Sequence, residues 1–149
     1  MTIGCLDREG EFPAMHSILV ALMAGLGLAL AGLAGMRLVG LHADRGAHSV
    51  VLIAIAAFYV VFAGEHGQAG EIAFQSLLAL VFTALALLGY RRSLWWVVAG
   101  LAVHGIYDIA FHGHGANPAP AWWGPFCLGV DVMLALGLAV WIRRGAVRA

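Results

Sequence analysis

"LWWVVAGLAVHGIYDIAFH", Leu94 to His112, is apolar enough to cross a bilayer, yet it carries His104, Asp108 and His112 at intervals of four. A spanning helix needs about 20 mostly apolar residues. Ionisable groups inside such a helix are costly and turn toward protein or a wet cavity. Residues four apart share one helical face. The stretch therefore predicts a membrane helix with one inward, polar face.

The rest of the chain supports that reading. Of 149 residues, 62% are hydrophobic and 11% charged, whereas soluble domains are about half apolar and a quarter charged. The excess apolar surface has to face lipid. Net charge is zero, and the eight basic residues are all Arg. With no basic patch, nucleic acid is not expected as a partner. Cys5 and Cys127 are far apart, and Cys127 lies in an apolar run, which argues against a framework disulfide. "MTIGCLDREGEFP" holds three acids and one Arg before the first apolar run. That order does not fit a cleavable signal peptide.

Five spans are expected, at about residues 15–38, 49–64, 72–90, 94–112 and 122–142. The second is the shortest. The class is all-α, a polytopic membrane helical bundle forming a single domain. Arg37 and Arg45 flank the first connection, Arg91 and Arg92 the third, and Arg143, Arg144 and Arg148 close the chain. The other two connections have no Arg. The positive-inside rule then predicts an N-terminus outside the cell (inner) membrane and a cytoplasmic C-terminus. In the first span, Gly27, Ala31 and Gly35 form a stripe suited to close helix packing, within the chain or in a homo-oligomer.

Counting about 1.5 Å per residue from the Arg end places His104 and Asp131 roughly 18 Å up, Asp108, Cys127 and Gln75 roughly 24 Å, and Glu71 and His112 roughly 30 Å. Glu65 and His66 end the second span at the height of Glu71. The ionisable groups thus gather in the outer half. Cys127 and Asp131 share a face of the fifth helix, as His104, Asp108 and His112 do on the fourth. Setting those faces together forms an outward-opening pocket under "GEHGQAGE".

Imidazole with carboxylate suits zinc or iron, and a Cys thiolate would favour zinc or copper. A helix cannot wrap His, Asp and His around one ion, because the end residues lie about 12 Å apart along the axis. Two of them with Asp131, Glu65, His66 or Glu71 could. First-choice metal ligands are His104, Asp108, His112 and Asp131, followed by Glu71, Glu65 and His66. Gln75, Asn117 and Cys127 would line the pocket. The dense negative charge calls for a divalent cation or for protonated carboxyls. With an open coordination position, such a site activates water toward a lipid-like substrate. Two other readings remain open: a transporter of protons, small ions or metal, and a structural, hydrogen-bonded polar core. His16, His42 and His48, at span ends, are expected to be solvated or interfacial, and Tyr107 is expected to pack away from the His104 face.

The pattern "GEIAF", "YRRSLWWVVAGLAVHGIYDIAFHGHGANPAP" and "FCLGVDVMLAL" resembles a group of small bacterial integral membrane proteins catalogued as a domain of unknown function. The resemblance spans roughly residues 50 to 142. It implies a polytopic membrane protein in which Glu71, His104, Asp108, His112, Asn117, Cys127 and Asp131 belong to one cluster, and it implies no reaction. The chain departs from the pattern in its Gly-Ala-Asn-Pro turn and in adding His66 and His114. At motif level it is also similar to membrane hydrolases that hold zinc with His and Asp in a helical bundle, though those use more histidines and a Ser.

Overall fold

The computed structural model describes residues 11–66, 69–110 and 119–147. Five helices account for nearly all of them: α1 Glu11–Leu38, α2 Arg45–His66, α3 Ala69–Arg91, α4 Trp95–Ala110 and α5 Trp123–Arg143. A single 3-10 turn, Leu41–Ala43, lies between α1 and α2, and there is no strand among the described residues. The protein is an all-α bundle, and α1, α2, α3 and α5 are each long and apolar enough to cross a membrane.

The second helix is not short: α2 has 22 residues. Hydropathy starts α2 late, because "RGAH" reads as polar. The backbone is helical from Arg45, whose guanidinium donates to the Gly89 and Tyr90 carbonyls at 2.7 and 3.0 Å. Those carbonyls close the last turn of α3, where helical acceptors lack intrahelical donors. Arg45 thus latches two helix ends together.

The chain reverses between α1 and α2 through Gly40, whose φ of +83° only glycine adopts without strain. Contacts then follow the order α1–α5–α4, with α2 and α3 paired as a hairpin against α4. α1 and α5 run parallel and approach closely. A Cβ at Gly25 would strike the Phe126 carbonyl, and one at Gly129 would strike the Leu22 carbonyl. Without a hydrophobic drive between helices in lipid, this backbone approach supplies the dispersion contact that holds them. Gly27 and Gly35 meet nothing within 4 Å, and Ala31 is exposed. The stripe expected to pack therefore faces outward, and the packed face of α1 is Ala21, Gly25, Ala29 and Leu33. Both faces repeat every four residues, so composition alone could not choose between them.

The Arg-bearing ends collect at one end of the bundle. His42 and His48 pack on Trp141 with ring centroids 5.5 and 5.7 Å away, and the Arg143 guanidinium stands 6.0 Å from the Trp95 ring. His48 is buried rather than interfacial, its Nε2 bonded to the His42 carbonyl at 2.9 Å. Above this end lies an apolar core of Leu52, Leu94, Val97, Leu101, Phe82 and Leu138. Large apolar side chains such as Leu28, Leu80 and Ile106 stay 60–65% exposed around the perimeter. Soluble monomers rarely display contiguous apolar surface on that scale, and a bilayer covers it.

Candidate metal centre

His104 and Asp108 belong to the buried face of α4, together with Val97, Gly100, Leu101 and Gly105. α5 packs beside α4 here: a Cβ at Gly105 would be in ordinary van der Waals contact, 3.4 Å, with the Cβ of Asp131. Asp131 therefore projects from α5 directly onto the His104 ring. His104 Nδ1 donates to Asp131 Oδ2 at 2.8 Å and lies 3.4 Å from Asp108 Oδ2. All three residues are 0–1% exposed. One ligand atom from each falls within 4.8 Å of the others, an arrangement that could hold a metal ion.

The surroundings orient the group. Tyr59, 2% exposed on α2, donates its hydroxyl to Asp108 Oδ1 at 2.6 Å. Phe82 of α3 presses edge-on against the imidazole at 4.9 Å between centroids, and Tyr59 flanks it at 5.8 Å. Tyr107 packs on Tyr59 at 5.3 Å and donates to Gln75 Oε1 at 3.0 Å. Tyr107 thus joins the rim of the cluster instead of packing away from it. It lies three residues beyond His104, and three apart is also one helical face.

Asp108 Oδ2 and Asp131 Oδ1 are buried with no hydrogen-bond donor among the described residues. A buried polar atom left so is costly, and more so when charged. Two carboxylates face a single imidazole, and the described arginines that make side-chain contacts do so at the other end of the bundle. The donor set is one nitrogen and up to four oxygens, chemistry suited to zinc or iron. Tetrahedral zinc with bonds of about 2.0–2.2 Å keeps its ligand atoms about 3.3 Å apart. The His104–Asp108 separation already matches that. The His104–Asp131 hydrogen bond would have to widen by about half an ångström.

The remaining sequence candidates separate. Glu65 is exposed and Glu71 half-buried, and neither is in the group. Both sit at helix ends where water can solvate a carboxylate, so no partner is required. Cys127 is buried, 4% exposed, and falls outside the group. Gln75 is buried and reaches the cluster only through Tyr107. His112 and Asn117 lie outside the described residues, as does the His66 side chain. Sequence reasoning missed Tyr59. Its signal was present in "AAFYVVF": a tyrosine in mid-span has a hydroxyl that must find a partner. No family model, curated protein or solved structure matches the chain.

Proposed function

We propose that this is an integral protein of the cell (inner) membrane that holds one divalent cation, zinc or iron by preference, between His104, Asp108 and Asp131. The observation that carries the reading is two fully buried carboxylates converging on one imidazole, each with an oxygen that has no hydrogen-bond donor among the described residues. A cation supplies the missing positive charge. The Arg-bearing end is cytoplasmic by the positive-inside rule, so the site sits in the outer half with the N-terminus outside. The Glu71, His104, Asp108, Cys127 and Asp131 pattern supports membership in the small bacterial membrane proteins of unassigned activity that the sequence resembles. Three protein ligands leave a coordination position for water. That is the requirement for metal-assisted hydrolysis or oxidation of a lipid-like substrate.

Elemental analysis of protein purified in detergent tests the site. Stoichiometric zinc or iron is expected, and it should be lost in both His104→Ala and Asp131→Asn. A metal-free protein that takes up neither ion on titration, with unchanged thermal stability, overturns the reading.

The 2.8 Å His104–Asp131 bond favours a second reading, in which a proton occupies the site and the bundle moves protons or ions. In the Arg half, the Thr83 and Ser49 hydroxyls are turned onto their own helices' carbonyls. That gives a path little continuation. Proton flux into reconstituted vesicles that disappears in Asp131→Asn would select this reading over the metal.

A further inference from the structure

The arginines at the end of the bundle are not all committed to the protein. Arg45 donates to the Gly89 and Tyr90 carbonyls, and Arg143 stands over Trp95. Arg37, in the last turn of α1, is exposed, and its guanidinium has no hydrogen-bond or ion-pair partner among the described residues. It is not needed as a helix cap. The Gly35, Val140 and Trp141 carbonyls at these helix ends accept from the backbone N–H groups of Val39, Arg144 and Ala146. Asp44, the one described acid at that end, is turned to the Gly46 N–H at 2.7 Å.

Arg37 is also the one charged residue lining an open groove of about 390 Å³ between α1 and α5. α1 contributes Leu30, Leu33, Ala34 and Arg37, which share one face at steps of three and four. The parallel wall is the α5 face from Met133 to Trp141. Gly137 and Leu33 close the floor, where a Cβ on the glycine would overlap the leucine side chain. Leu30 and Leu136 stay 57% and 59% exposed on the two walls, so the groove opens toward lipid.

From Leu30 the groove runs about 10 Å along α1 and ends at the guanidinium. One leaflet contributes roughly 15 Å of hydrocarbon. An acyl chain lying in the groove therefore carries its headgroup to the level of Arg37. Six described arginines and the single acid Asp44 make that end strongly positive. Basic pockets between membrane helices hold anionic headgroups. We infer that this groove binds one anionic phospholipid, an acyl chain between α1 and α5 and the headgroup phosphate paired with Arg37. The site is separate from the buried His104 cluster and needs no metal. Because α1 packs on the bundle through α5, the bound chain also braces the outermost helix.

Native mass spectrometry of the full chain in detergent, titrated with phosphatidylglycerol or phosphatidylcholine of identical chains, tests the site. One tightly bound lipid per chain is expected, with phosphatidylglycerol about fivefold tighter, the contribution of one basic residue near a membrane surface. Arg37→Gln should erase that preference, and Arg37→Lys should keep most of it. Arg92→Gln, also exposed at the same end but outside the groove, should leave it intact. Ala34→Trp fills the groove from an exposed position and should weaken both lipids without lowering the lipid-free unfolding midpoint. Chelated protein should bind as before. Equal binding of the two lipids, equal losses in Arg37→Gln and Arg92→Gln, or displacement of the lipid by an equal concentration of chain-free glycerol phosphate overturns the inference.

Discussion

At the scale of single residues, the stability of the bundle hinges on which atoms of the buried cluster are left alone. Tyr59→Phe keeps the ring packed on Tyr107 and His104 and removes only the donor to Asp108 Oδ1. Leaving a buried acceptor unpaired costs about 1–3 kcal/mol. A lower unfolding temperature in detergent is the expected outcome. His104→Ala removes the one group facing both carboxylates, and breaking a buried charged pair costs about 3–5 kcal/mol. It should be the more damaging change of the two. Equal thermal midpoints for wild type and both variants would show that the carboxylates are satisfied in some other way. The double substitution Asp108→Asn with Asp131→Asn, which removes both acids, should recover part of the His104→Ala loss.

Helix pairs set the next scale, and here glycines of the same type have opposite roles. Gly129 lies against the α1 backbone at Leu22 and Leu26, with no room for a Cβ. Gly129→Leu should force α1 off α5 and destabilise the protein by more than the few tenths of a kcal/mol usual at a surface site. Gly27, on α1, faces open space. Gly27→Ala should be neutral or stabilising, by up to about 1 kcal/mol, because alanine loses less backbone entropy in a helix. Thermal unfolding of both variants in one detergent checks the pair. If Gly129→Leu is harmless, α1 does not dock as described. α4 lies against α5, α3 and α2, so its polar face is covered by protein.

For the whole molecule, the testable consequence is direction. All described arginines gather at one end, with Arg45 latching α2 to α3 and Arg143 beside Trp95. In the orientation proposed from the positive-inside rule, that end is cytoplasmic. In a background with Cys5 and Cys127 replaced, a single cysteine at Arg144 should resist a membrane-impermeant maleimide in intact cells and react after lysis. A single cysteine at Ala121, exposed at the opposite end, should react in intact cells. The reverse pattern would place the buried cluster in the cytoplasmic half and invert the proposed orientation.

How much of this was legible from residues alone differs between the parts. Five helices, their lipid-facing character and the inward polar face of α4 follow from the length of the apolar runs and a spacing of four. These are local properties, set by what a helix must bury in hydrocarbon. Which partner each polar group finds is not local. Tyr59 bonds Asp108 across 49 positions of sequence, and Asp131 reaches His104 across 27. Glu65 and Glu71, equally acidic, sit at helix ends outside the group. The outward turn of the Gly27 stripe likewise depended on rotation of α1 about its own axis, which a four-residue repeat leaves undetermined. Sequence by itself determined the solvent and the elements, because burial in lipid acts on each segment separately. Only the packing of five helices decided the members of the site, because backbone approach at a few glycines determines which side chains can touch.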